Sequence, residues 1–220
     1  MDAARAAYSR GTGAIEVIVA DNASTDGTAA IAAARGCRVV RVERRVIAAA
    51  RNAGARAAAG TVLAFVDADT RIHPLTFDAI DEALGSGRVV AGATGVTLDR
   101  WSAGLALTYL ALLPMVWITR MDTGVVFCRR EDFETVGGYD ERLLLAEDVA
   151  FLLALRRLGR SRSQRLARLR SVKAVGSTRK FDEHGDWHYF RMVPRVVWAA
   201  LRRGQAVRDL ADRYWYRPGR

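Results

Sequence analysis

Two carboxylates, Asp67 and Asp69, directly follow the apolar run Thr61–Val66 (TVLAFV). In an extended backbone, residues two apart face the same way, so both carboxylates would meet one cation. A hard divalent ion is typically held by one or two carboxylates plus substrate phosphates. The plain alternative is a capped turn before Pro74. A second acidic pair, Glu147-Asp148, falls in the first turn of a helical segment, Ala146–Leu158. There the helix dipole favours the charged form of an acid. The alternative is an ordinary helix N-terminal acid. A third candidate, Asp21, ends another apolar run, Ile15–Ala20 (IEVIVA).

The segments between these acids form a regular series. Ile15–Ala20 reads as a buried strand, and an Ala-rich helix opens after Thr25-Asp26-Gly27-Thr28 and stops at Gly36. Arg38–Val42 is a second strand, Val46–Ala59 a helix closed by Gly60, Thr61–Val66 a third strand, and Pro74–Leu84 a helix that ends at Gly85. Strands that alternate with helices of this size predict βαβ units, an α/β fold and a mostly parallel sheet. Ligands in such sheets bind at the carboxyl ends of strands, which is where Asp21 and Asp67 stand. The second half is less regular. Arg88–Leu98 suggests one or two strands, Thr123–Cys128 a strand and Glu131–Val136 a short helix.

Composition narrows the class. With 50% hydrophobic residues in 220, the chain has a core to bury, and disorder is not expected. Cys37 and Cys128 stand without a CxxC pair, which suits a reducing cytoplasm. Met1–Gly13 lacks the apolar stretch of a signal peptide, so no leader or anchor is expected there. Trp101–Thr119 carries no charge but holds Ser102, Thr108, Tyr109, Pro114 and Thr119; a buried or interfacial helix is expected rather than a span. The segment Val149–Phe181 has no acid, and it carries the whole net charge of +10. Such a surface attracts anions, and the bland alternative is a solvated helix face. Tyr189–Arg203 has an apolar stripe with Trp198 and several arginines, as a membrane-surface helix would, although a helix packed on the core fits too. His184 and His188 lack the glutamate of a zinc motif, and no dinucleotide, Walker or serine-elbow motif is present. No nucleic-acid recognition motif is present, so nucleic acid is not an expected partner.

Taken in order, Asp21, Arg51-Asn52, Asp67-x-Asp69, Thr123-Gly124, Arg129-Arg130, Phe133, Val136-Gly137-Gly138-Tyr139-Asp140-Glu141 and Ala146-Glu147-Asp148 resemble a family 2 glycosyltransferase with the GT-A fold. The resemblance implies a Rossmann-like α/β/α sandwich over residues 1–181. Its donor half would span about 15–98 and its acceptor half about 120–181, with a C-terminal helical extension at 182–220. It also implies an inverting transfer of sugar from a nucleotide-diphosphate donor to an acceptor hydroxyl. Asp148 would be the general base. Asp21 would contact the nucleoside, Asp67 would lie by the ribose and diphosphate, and Asp69 would bind Mg²⁺ or Mn²⁺ together with Asp67. Arg51, Arg179 and Lys180 are candidates for the diphosphate oxygens, and Glu147 and Gly124 belong to the acceptor side. One departure stands out. Nothing like the family's first strand, with its Pro-Ala-x-Asn-Glu-like turn, precedes Ile15; either the start is misassigned or that strand is missing. A non-catalytic, N-terminally truncated relative or partner subunit is the alternative reading. Expected partners are a nucleotide-diphosphate sugar, a lipid-linked acceptor and an anionic membrane, with the protein cytoplasmic and peripheral on the inner face.

Overall fold

The computed structural model describes residues 8, 15–107, 110, 124–144, 146–179, 185 and 187. Lys180, nearly all of the 182–220 extension with the expected Tyr189–Arg203 helix, and most of the uncharged segment after Leu107 lie outside the described residues. Among the described residues, no helix is long and apolar enough to cross a membrane.

The alternating series is present. Strand β1 (Ile18–Asp21), helix α1 (Thr28–Ala34), β2 (Arg38–Arg41), α2 (Ile47–Ala57), β3 (Val62–Phe65), β4 (Thr70–Arg71), α3 (Thr76–Gly85) and β5 (Val89–Leu98) follow in order. Then come β6 (Val126–Arg129), α4 (Arg130–Thr135), α5 (Glu147–Ser161) and β7 (Arg165–Gly176). Arg88–Leu98 is thus a single strand. β7 was not foreseen.

Five strands form one sheet in the order β3-β6-β5-β7-β4, and β1 and β2 pair separately. The expected mostly parallel order holds for β1 with β2 and for β5 with β7. β6 runs antiparallel to both β3 and β5, and β4 runs antiparallel to β7. The sheet is therefore mixed: βα alternation stops at β5, and β6 lies between β3 and β5 and runs against both. Among the described residues no strand precedes Ile18, and the β1-β2 pair is not hydrogen-bonded to the five-stranded sheet.

The alternating side chains of β6 show why there are two cores. Val126 and Cys128 point to one face, where α2 (Ala48, Ala49, Ala55) and α5 (Phe151, Leu152, Leu155) cover them. Phe127 points to the other, against Ile80 and Leu84 of α3. This gives the α/β/α sandwich. Arg130, the first residue of α4, donates hydrogen bonds to the carbonyls of Ala55, Ala58 and Gly60. These bonds satisfy the open C-terminal end of α2 and fix the helix that carries Arg51.

Candidate functional site

Asp21 closes β1 and is buried, 3% exposed, with its carboxylate accepting the Ser24 amide at 3.1 Å. Asp67 comes two residues after β3, and its side chain is 59% exposed. Asp69 is exposed as well. The backbone between them is not extended. Ala68 and Asp69 sit in a turn closed by the Thr70 amide on the Asp67 carbonyl at 3.0 Å, so the two-residue alternation argument does not apply. The turn arises because the chain must reverse at once to form β4. Pairing of Thr70 with Gly176 then runs the end of β7 past this turn, which brings exposed Arg179, three residues further on, to the same edge. Thr178 anchors that stretch by donating from its amide and hydroxyl to Asp99 at 3.1 and 2.6 Å.

The Glu147-Asp148 pair opens α5, as expected, after Ala146 in the left-handed region (φ 59°). Ala23, two residues past Asp21, has φ 56°. Such backbone in a non-glycine residue is uncommon and strained. Glu147 and Asp148 have side chains 11% and 18% exposed.

Arg51 joins the two sides. From the middle of α2 it donates through Nη1 to Glu147 Oε1 at 3.0 Å and to Asp148 Oδ1 at 2.6 Å, and through Nη2 to Asp67 Oδ1 at 2.9 Å. Its guanidinium centre lies 5.3 Å from the centroid of the Tyr139 ring, a cation–π distance. Burial alone would lower the Arg51 pKa, but Asp148, Tyr139, Asp67 and Glu147 hold it above its ordinary value. One guanidinium thus serves three carboxylates, and the cluster stays electron-rich.

Asp148 is pushed up from 3.8 to about 6. Burial is the main cause, Arg51 pulls the other way, and Glu147 and Asp67 add to the rise. Desolvation outweighs the helix N-terminus, so the acid is not simply stabilised as an anion. A carboxylate with a pKa near 6 is mostly ionised at neutral pH yet basic enough to accept a proton.

Gly124 packs against β5. A Cβ there would lie 2.4 Å from Thr94 Oγ1 and 2.8 Å from the Thr94 and Gly95 carbonyls, so close approach accounts for the glycine. Two residues that the sequence reading left without a role also belong to the cluster. Asn52 receives the Tyr139 amide on Oδ1 at 2.8 Å and donates Nδ2 to the Tyr139 carbonyl at 2.9 Å and to Glu141 at 3.0 Å. Both Asn52 and Tyr139 stood inside the quoted motifs, which was the available signal.

Among the described residues no group of three or more His, Cys, Asp or Glu is arranged to hold a metal. Asp67 and Asp69 fit a divalent ion that keeps water and substrate oxygens in its shell: both are exposed, and the nearby acids outnumber the one guanidinium.

The mixed α/β sheet under these loops is of the GT-A glycosyltransferase type. A family profile, Glycosyl transferase family 2, matches residues 3–131, and the chain belongs to that family. No curated protein matches it. Among solved structures, S. aureus TarS (residues 1–349) in complex with UDP-GlcNAc is similar at TM-score 0.56 and 18% identity, over 74% of this chain and 49% of that one. Glucosyl-3-phosphoglycerate synthase from Mycobacterium tuberculosis, in complex with Mn²⁺ and UDP-glucose, is similar at TM-score 0.55 and 21% identity, over 83% of this chain and 66% of that one. The chain spans about half the length of the S. aureus protein's 1–349 chain.

Proposed function

We propose that the protein transfers a sugar, with inversion, from a nucleotide-diphosphate donor to an acceptor hydroxyl. The observation that carries this reading is the Arg51 junction, which ties a solvent-open donor-side carboxylate, Asp67, to a buried acceptor-side carboxylate whose pKa is about 6. In the reaction, Asp148 takes the proton of the acceptor hydroxyl. The freed oxygen forms a bond to the anomeric carbon from the face opposite the leaving group. The bond from that carbon to the diphosphate oxygen breaks, and its electron pair leaves with the nucleoside diphosphate. Asp21 meets the nucleoside. Arg51 and Arg179, with Lys180 on the chain just beyond, meet diphosphate oxygens, where cationic donors stabilise developing charge. Glu147 and Gly124 lie on the acceptor side. Asp69 and Asp67 would hold Mg²⁺ or Mn²⁺, which would neutralise charge on the leaving diphosphate.

The complexes of similar fold with UDP-GlcNAc and with Mn²⁺ and UDP-glucose support this reading by analogy of fold. The basic run along α5 and β7 supports a second element: attachment to an anionic membrane face on the cytoplasmic side, where a lipid-linked acceptor would be met. A thermal-shift screen of nucleotide sugars with and without Mn²⁺ tests the reading. A rise in Tm that needs both the cation and one nucleotide sugar is expected, because a ligand that binds only the folded state raises apparent stability. A full panel without any shift contradicts it.

A further inference from the structure

Tyr139 is held more firmly than any packing role requires. Gly137 and Gly138, at φ 80° and 71°, turn the chain into it, and a Cβ on Gly138 would lie 2.7 Å from Asn52 Oδ1. Asn52 grips the tyrosine backbone from both sides, accepting its amide at 2.8 Å and donating to its carbonyl at 2.9 Å. The ring stacks on Phe151 at 4.1 Å and meets Phe65 edge-on at 5.1 Å. Phe151 is one helical turn after Asp148 on α5, and Arg51 lies over the same ring.

The hydroxyl on that ring is unexplained by packing. Tyr139 is 2% exposed, and its oxygen is buried with no partner in hydrogen-bonding geometry. The aromatic neighbours Phe65, Phe133 and Phe151 carry no such group, and phenylalanine would fill the space without the cost of a buried unsatisfied hydroxyl. Burial raises the phenol pKa well above its ordinary value, and Asp148 is the charge that adds most to the rise. The hydroxyl keeps its proton, and its ring lies against Arg51, which binds Asp148, and Phe151, one turn along α5 from Asp148. Arg51 already occupies Asp148 Oδ1. A second donor would stop the carboxylate from rotating about its Cβ–Cγ bond.

We propose that Tyr139 is a positioning residue for Asp148, its hydroxyl donating to the carboxylate and fixing the oxygen that faces the acceptor. The inference rests on the reading of Asp148 as the base, and it concerns only side chains of this chain. Asn52 acts one step further out by fixing the backbone of Tyr139.

The test is Tyr139→Phe in the full chain, free of metal, with ¹³C-labelled aspartate and the Asp148 carboxyl assigned by Asp148→Asn. The charged groups facing Asp148 are Arg51 from α2, Asp67 after β3 and Glu147 on its own helix, and all stay in place in the variant. Loss of a donor to the charged form should raise the Asp148 midpoint by about one pH unit. With Mn²⁺ restored, donor turnover should fall about tenfold with donor affinity unchanged, the mark of an interaction used in the transition state. Global incorporation of 3-fluorotyrosine, a stronger donor, should move the midpoint the other way, and it serves if the phenylalanine variant does not fold. An Asp148 midpoint that stays put in both proteins overturns the proposal, as does a moved midpoint with unchanged turnover. A chain that binds no UDP with Mn²⁺ would instead sink the functional reading, and the midpoint would still decide whether Tyr139 touches Asp148.

Discussion

Beside Arg51 the Asp67 side chain is 59% exposed, whereas on its other flank Glu147 and Asp148 are 11% and 18% exposed. All three contact the same guanidinium. Burial separates their chemistry. An exposed carboxylate pays little desolvation and can exchange Arg51 for a metal and its waters. A buried one is held near neutrality by competition between desolvation and Arg51, and so becomes a group that gains or loses a proton close to physiological pH. Under the proposed mechanism, one residue type in two dielectric settings around a shared guanidinium would supply both a cation ligand and a base.

The largest effect expected from breaking this asymmetry is on rate. Asp148→Asn keeps size and polarity but cannot take a proton. Turnover should fall by about two to four orders of magnitude, the usual contribution of a positioned acid or base, with donor affinity little changed. Steady-state rates together with nucleotide titrations check this. Transfer within a few-fold of wild type, with chemistry rate-limiting, would make Asp148 a helix-terminal acid and move attention to Glu147.

A smaller effect should appear in stability, with opposite sign. The folded pKa of Asp148 is raised from 3.8 to about 6, so the native state binds the proton more readily than the unfolded chain. That contribution favours folding below pH 4 and is lost as pH rises through 6. At pH 7.5 the ionised, buried carboxylate therefore opposes folding. Asp148→Asn should be more stable than wild type there, by about 1–3 kcal/mol from the size of the shift. The advantage should vanish near pH 4. Urea denaturation at the two pH values reads the difference directly, and equal stabilities at pH 7.5 would show that Arg51 offsets the burial completely.

Much of the donor half was legible in the sequence because its signals are local. Apolar runs of four to six residues that end in Asp21 or before Asp67, with glycine stops between helices, place both acids at strand ends without any long-range knowledge. Three features were not legible. β7 (RLARLRSVKAVG) was missed because its apolar residues Leu166, Leu169, Val172 and Val175 recur every third residue. Its pairing with β5 contains two register shifts, which break the period-two pattern of a regular strand. The Asp67–Thr70 turn was read as extended because the two-residue strand β4 leaves almost no pattern of its own. The Arg51 junction spans 96 and 97 residues to Glu147 and Asp148, and no local spacing encodes such partners. The motif order identified the residues, and only the hydrogen bonds from Arg51 of α2 to the start of α5 revealed that they share one cation. The raised pKa of Asp148 was hidden for the same reason, since helix position alone argued for an easily ionised acid.

If the exposed carboxylates Asp67 and Asp69 hold a cation for a nucleotide diphosphate, isothermal titration with UDP will show it. Wild type should bind UDP in the presence of Mn²⁺ and lose binding when EDTA is added. Asp69→Ala, at an exposed turn, should keep the circular dichroism spectrum and lose the Mn²⁺-dependent binding. UDP binding by Asp69→Ala that is as tight as wild type and indifferent to EDTA would contradict the account.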